Sequence, residues 1–437
     1  MDTENASGYL SRLGPTWLAG AVAAGPATMA SLVTAGASYD YALLWVVVLS
    51  AVLGATAQLL ASRLSLLTER GIVSVVEDRL GEWWAWVLVV DAVLAAGLAQ
   101  LVIMKGLADV SATVTGVDAR IWGVAWAVVL AVGLASGGYR IAELGAKVLV
   151  SAIVVAFVAS LVVVPVDLGA AARGLVPAFP GVDGALLAAS VLGGAVHVTL
   201  VTMQSYTTRA RGWTIADRRL ARFDVLTSMG LAFGAYSLAI FLVAASVLTP
   251  ENAGSAAGAA QALGPLVGAD AKWLFLLGLW GAAISTLGGN TVVPPYLLAD
   301  KLGWATDVSD QRFRALVVVV ALLSAGGAFL GGAFFPLLVL VLAFGLVGTP
   351  FALVVVLYLL NDPAVGEPPS TAANLGGAVL VLVTAVTAGS FVRGQVASGF
   401  DPQTAFVALF AVALGAATLA LLVRFVRETA GATPVPE

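Results

Sequence analysis

"AVAAGPATMASLVTAGASYDYALLW", residues 21–45, is apolar enough to enter a bilayer, yet it carries Gly25-Pro26-Ala27-Thr28 in the middle of a span that starts near Thr16. Pro26 deprives a helix of one backbone hydrogen bond, and Gly25 relaxes the chain beside it. At membrane depth such a combination is tolerated where the freed carbonyls face packed protein or a polar cavity. A packed proline kink and a break that lines a site both meet this condition, so the rest of the chain has to separate them.

The 437 residues are 60% apolar and 11% charged, with a mean hydropathy of +1.01, the composition of an all-α polytopic membrane protein. Absence of cysteine excludes disulfides and thiolate metal sites. The start, "MDTENASGYLSRLGP", has no basic segment ahead of its first apolar run and reads as a retained cytoplasmic tail. Apolar runs able to cross a core of about 30 Å begin near Thr16, Tyr41, Trp83, Ile121, Ala146, Ala185, Leu226, Trp273, Ala315, Phe335, Asn374 and Ala405. Their connections are short, so residues 1–437 read as one integral membrane domain of about twelve helices. The proline-rich stretch "NDPAVGEPPSTAAN" sets a terminal pair, about 371–427, apart from ten preceding spans.

With the amino terminus inside, only Lys105, Arg120, Arg173, Lys272 and Arg393 of the 21 Lys and Arg face outward. That bias predicts a multi-pass protein of the cell membrane with both termini cytoplasmic.

Span six, "LGGAVHVTLVTMQSYTTRARGW" (192–213), gathers Gly193-Gly194, the only histidine, Thr199, Thr202, Gln204 and Ser205. At helical spacing His197, Val201 and Gln204 share a face. Spans one and six occupy equivalent places in two groups of five, about 15–165 and 184–360. Paired interruptions of this kind point to a transporter site at the midplane of an inverted repeat.

The stretch from Ala24 to Trp45 resembles the first span of the NRAMP family of divalent-metal transporters, whose pattern runs Asp-Pro-Gly-Asn and later Ala-Gly-Ala-x-Tyr-x-Tyr-x-Leu-Leu-Trp. Ala35, Gly36, Ala37, Tyr39, Tyr41, Leu43, Leu44 and Trp45 match its tail. "SRLSLLTERG", "GGYRIAELG", "RFDVLTSMGLAF" and "PFALVVVLYLL" are similar to further family segments. The resemblance implies a leucine-transporter-type fold, a 5+5 inverted repeat followed by two helices. It also exposes departures. The family's metal-binding aspartate and asparagine fall on Gly25 and Thr28, its Met-Pro-His on His197, Val198 and Thr199, and a later histidine on Gln204. The acidic Asp-Leu-Ala-Glu element of span three reads Gly97-Leu98-Ala99-Gln100, and a glutamine of span ten falls on Leu342.

A dehydrated transition metal wants several ligands and an anion to offset its charge. Gly25, Pro26, Ala27, Thr28, His197, Thr199, Thr202 and Gln204 offer neutral donors and acceptors instead. They predict a small uncharged polar solute such as a sugar, carried by alternating access, with no bound metal and no cofactor. A divalent ion taken up hydrated (Mn²⁺- or Mg²⁺-like) and a non-transporting sensor are the alternatives. For a coupling ion, H⁺ or Na⁺, the candidates are Asp91, Gln100, Ser285, Thr286 and Asn290; uniport is equally open. Asp91 sits inside span three, where a carboxylate costs about 2.5–3.5 kcal/mol on insertion scales. His197 reads either as a packed core histidine or as a pocket residue able to titrate near neutrality. No phosphate-binding loop and no Ser-His-Asp arrangement speak for an enzyme. The arginines from Arg209 to Arg222 suit anionic headgroups and topology better than nucleic acid.

Overall fold

The structure, a computed structural model, describes residues 25–431 except 137–139, 179, 253 and 367. The tail and the first half of span one lie outside the described residues, as does part of the "GGYRIAELG" segment. Every regular element described is helical, and eleven helical stretches are long and apolar enough to cross a membrane. Nine of them start within four residues of the positions expected from Tyr41 onward, while the stretches expected at Leu226 and Trp273 open earlier, at Ile215 and Ala256, because short helices lead into them.

Numbering the longer helices, the first half runs α1 (Pro26–Tyr39), α2 (Leu44–Thr68), α3 (Ile72–Leu80), α4 (Glu82–Thr115), α5 (Ala119–Ser136) and α6 (Arg140–Val163). The second runs α7 (Gly181–Ala195), α8 (Val198–Ala210), α9 (Arg218–Val225), α10 (Gly234–Val247), α11 (Ala271–Thr291), α12 (Val293–Lys301), α13 (Gln311–Leu323) and α14 (Phe334–Leu360). The terminal pair is α15 (Thr371–Ser398) and α16 (Pro402–Gly431). Helices dominate because lipid offers no partner to a backbone amide, and each helix satisfies its own.

α1, α7, α8 and α14 form the middle of the bundle. α14 is buried along nearly its whole length and packs against α4, α7 and α15. Small residues set how closely these helices meet. A side chain at Gly36 would stand 2.8 Å from the Phe241 carbonyl oxygen, so the Ala-Gly-Ala run of α1 is a contact surface for α10. At the other face of α1, the Ser31 hydroxyl bonds that of Ser190 on α7. Between α9 and α10, residues Leu226–Phe233 form a π-helix that packs on α2.

One end of the bundle, where the arginine-rich loops gather, is cross-linked by polar contacts. α3 lies across it. Its Ser74 amide donates to Asp300 Oδ2 at 3.2 Å, which also accepts from Tyr206 Oη at 2.7 Å. Lys301 pairs with Glu77 at 3.0 Å, and Arg79 donates twice to Asp362, at 2.8 Å each. Trp83 and Trp273, near the starts of their spans, are 73% and 47% exposed, as suits aromatic side chains at a membrane interface.

Candidate functional site

Span six is interrupted, at a different residue from the one its glycines suggest. α7 continues through Gly193 and Gly194 to Ala195; Val196 (φ −124°, ψ 48°) leaves the helix, and His197 (φ −76°, ψ 141°) is the extended cap from which α8 starts. The glycines serve close packing: a Cβ on Gly193 would lie 2.3 Å from the Leu342 carbonyl oxygen, and one on Gly194 would lie 2.6 Å from Thr28 Oγ1. The break therefore falls where the next helix can be capped. His197 Nδ1 accepts from the Thr199 amide at 3.3 Å and lies 2.8 Å from Thr199 Oγ1. With Nδ1 accepting, the neutral ring carries its proton on Nε2, which has no hydrogen-bond partner among the described residues.

The carbonyl freed at Val196 is met from α14. Thr349 Oγ1 donates to it at 2.8 Å and to Gly345 O, in its own helix, at 3.0 Å. On the first span, Gly25 is extended (φ −66°, ψ 177°) and Pro26 opens α1 at a position where a missing N–H costs nothing. Gly25 O accepts from the Met29 amide at 3.1 Å. Thus α1 begins at the depth where span six is broken.

Between these two helix starts lies a cavity of about 60 Å³. Gly25, Pro26, Ala27 and Thr28 line one wall, Gly194, His197, Thr199 and Leu200 a second, and Thr286 and Asn290 of α11 a third. Ala99, Ile103, Val341 and Leu342 close it with apolar surface. Thr286 Oγ1 is buried without a partner among the described residues. Asn290 spends its amide nitrogen on Ala96 O (2.7 Å) and Gln100 Oε1 (3.0 Å), which leaves its carbonyl oxygen as its acceptor. No lining residue carries a formal charge, and no three His, Cys, Asp or Glu come together among the described residues.

Of the expected site residues, Thr202 and Gln204 do not reach this wall. Thr202 turns its hydroxyl back onto Val198 O (3.0 Å) and Thr199 O (3.2 Å), because a helical threonine readily bonds its own preceding turn. Gln204 is buried further along α8, almost two turns past the cap. Ser285 also stays off the wall; its neighbour Thr286 takes that place. Gln100 donates to Thr291 Oγ1 at 2.6 Å and so joins Asn290 in a neutral amide network between α4 and α11. Asp91 is 1% exposed and neither carboxylate oxygen has a hydrogen-bond partner among the described residues.

Sequence reasoning from donors and acceptors passes over Thr349, Gly345 and Gly348. A Cβ at Gly345 would stand 1.8 Å from His197 Nε2, and one at Gly348 would stand 1.9 Å from Asp91 Oδ1. Two glycines three apart in an otherwise bulky apolar helix were the available signal.

A helical bundle with one span broken at mid-depth, a second helix starting beside the break and a polar cavity between them defines a membrane transporter of the leucine-transporter fold. The family described as "Natural resistance-associated macrophage protein-like" matches residues 16–393, and the chain belongs to it. The chain is similar to the "Divalent metal cation transporter MntH" of Deinococcus radiodurans, 30% identical over 305 residues (65% of this chain, 69% of the relative). It is also similar to the protein of that name from Mycobacterium tuberculosis, 27% identical over 373 residues (81% and 84%). A solved structure of the Eremococcus coleocola manganese transporter, in complex with an aromatic bis-isothiourea substituted compound, superimposes with a TM-score of 0.73. Its identity is 16%, and the match covers 98% of this chain and 96% of that one.

Proposed function

We propose that the chain carries a divalent metal ion across the cell membrane, taken into the centre with part of its hydration shell. The observation that supports this most is the family match to relatives named as divalent metal cation transporters. Those relatives favour a metal ion, so this reading replaces the sugar expected from the neutral side chains.

The donors suit a hard cation that keeps waters. Thr28, Thr199, Thr286 and Asn290 supply neutral oxygens, and no soft ligand is present to select a thiophilic metal. Retained water spares the protein a complete ligand shell, which this wall does not have. In this reading two halves, about 15–165 and 184–360, move against each other around the cavity, with both termini cytoplasmic. The neutral Gln100–Asn290 network carries no proton, because neither amide titrates, which leaves Asp91 as the candidate for proton coupling in span three.

Purified protein in liposomes, offered Mn²⁺ and Mg²⁺ alongside neutral sugars, tests the proposal. Saturable uptake of a divalent ion, competed by other hard divalent ions and not by sugars, is expected. Uptake of a sugar without any metal flux would overturn it.

A further inference from the structure

The cavity lacks the anion that a divalent cation calls for, and an unpaired carboxylate is buried nearby. Asp91 comes from α4 and His197 from the break in span six, yet both end on one face of α14. Asp91 Oδ1 occupies the space a Cβ of Gly348 would need, and His197 Nε2 the space a Cβ of Gly345 would need. These glycines are three residues apart, about 4.5 Å along the helix. Side-chain positions at that spacing are roughly 5–6 Å from one another. The two glycines form a notch that seats the carboxylate about one turn beyond the imidazole, on the side of the arginine-rich end.

Asp91 and His197 do not bond each other directly, since both facing atoms lack a partner among the described residues. Both are seated in neighbouring positions of one notch, where the Nε2 proton is the polar group of the ring without a partner among the described residues. Among the described residues Asp91 has no hydrogen-bond partner and sits against the Gly348 notch of α14, and the ion pairs of the arginine-rich end lie on α3, α12 and the loop after α14. A carboxylate placed there at a cost of burial, and given room by a glycine, serves a charge that comes and goes.

We propose that Asp91 is the counter-charge of the transported cation, displaced from the first span, where Gly25 now stands, to the third, and held in electrostatic reach of the cavity by the Gly345/Gly348 notch. Asp91 does not touch the ion. It lowers the free energy of the occupied cavity by through-space attraction past His197, and it makes the neutral wall selective for cations over neutral solutes. The inference rests on the metal-ion reading above.

The test uses the full-length purified protein, with Mn²⁺ alone as the probe, by calorimetry and by thermal unfolding with and without Mn²⁺. Asp91→Asn is expected to weaken Mn²⁺ binding about tenfold or more, since the attraction acts through a low dielectric. Its metal-free protein is expected to melt no lower than the parent, because a buried carboxyl group without a hydrogen-bond partner has been removed; a merely structural aspartate would lower it. Gly348→Ala, whose methyl evicts the carboxylate, is expected to weaken Mn²⁺ binding in the same way, whereas Gly97→Ala, which meets nothing within 4 Å, is not. If the parent binds Mn²⁺ and Asp91→Asn binds it equally, the counter-charge is refuted while the metal-ion reading stands. If the parent binds no divalent metal, the metal-ion reading itself fails.

Discussion

Replacing Thr349 by Val removes one hydroxyl and nothing else of consequence, because the two side chains have nearly the same shape. The hydroxyl it removes is the donor to Val196 O at 2.8 Å, at a point where helical partners are missing. The next amides are committed elsewhere: Leu200 N and Val201 N both bond His197 O, at 2.9 and 3.2 Å. Val196 and Thr349 are each fully buried, so water does not replace the bond. Leaving a buried carbonyl without a donor costs about 1–3 kcal/mol. The second acceptor of the same hydroxyl, Gly345 O, lies in the regular ladder of α14 and loses little. Unfolding of the purified full-length protein should report a loss in that range for Thr349→Val. Thr349→Ser, which keeps the hydroxyl, should lose distinctly less. If the loss falls on the break alone, the affinity for cargo should drop as well, with each 1.4 kcal/mol worth about tenfold. Equal stability of Thr349→Val and the parent would refute the idea that α14 holds the interruption in place.

Thr28→Ala takes an oxygen from the cavity wall and should weaken divalent-ion uptake in liposomes while leaving the melting temperature close to the parent's. Gln100→Leu should cost about 1–2 kcal/mol in unfolding experiments by breaking its bonds to Thr291 and Asn290, with no change in the pH dependence of uptake. Arg79→Gln opens the tie to Asp362, a pair worth at most about 1 kcal/mol because it is partly solvated. It should speed labelling of a cysteine introduced as Leu200→Cys from the arginine-rich side, and the chain's lack of native cysteine makes that readout clean.

Helix positions were legible in the sequence because each span is a continuous apolar run, and the bilayer leaves the backbone few other options. The depth of the site was legible for a related reason: Pro26 and the polar crowding around His197 are costly inside a membrane and so stand out. What escaped was the division of labour within span six. Gly193 and Gly194 look like the break but are contact points, and periodicity alone cannot tell a flexible glycine from a closely packed one. Thr202 and Gln204 carry the right chemistry, yet their direction depends on where α8 begins, which a two-residue shift of the cap decides. The role of α14 was hidden for the opposite reason, since glycines have no side chain to nominate them. Asp91 was visible by its cost, but only packing reveals that it stands next to His197.

The neutrality of the cavity wall bears on how such a carrier would respond to voltage. The wall itself carries no charge, and the one proposed counter-charge, Asp91, offsets only part of a divalent cargo, so a membrane potential still acts on the loaded crossing. For a divalent cargo, an inside-negative potential contributes about 2.3 kcal/mol per elementary charge for each 100 mV. Twice that per ion is enough to concentrate the cargo inward by more than a thousandfold at equilibrium. A carrier of this design would draw driving force from the electrical gradient.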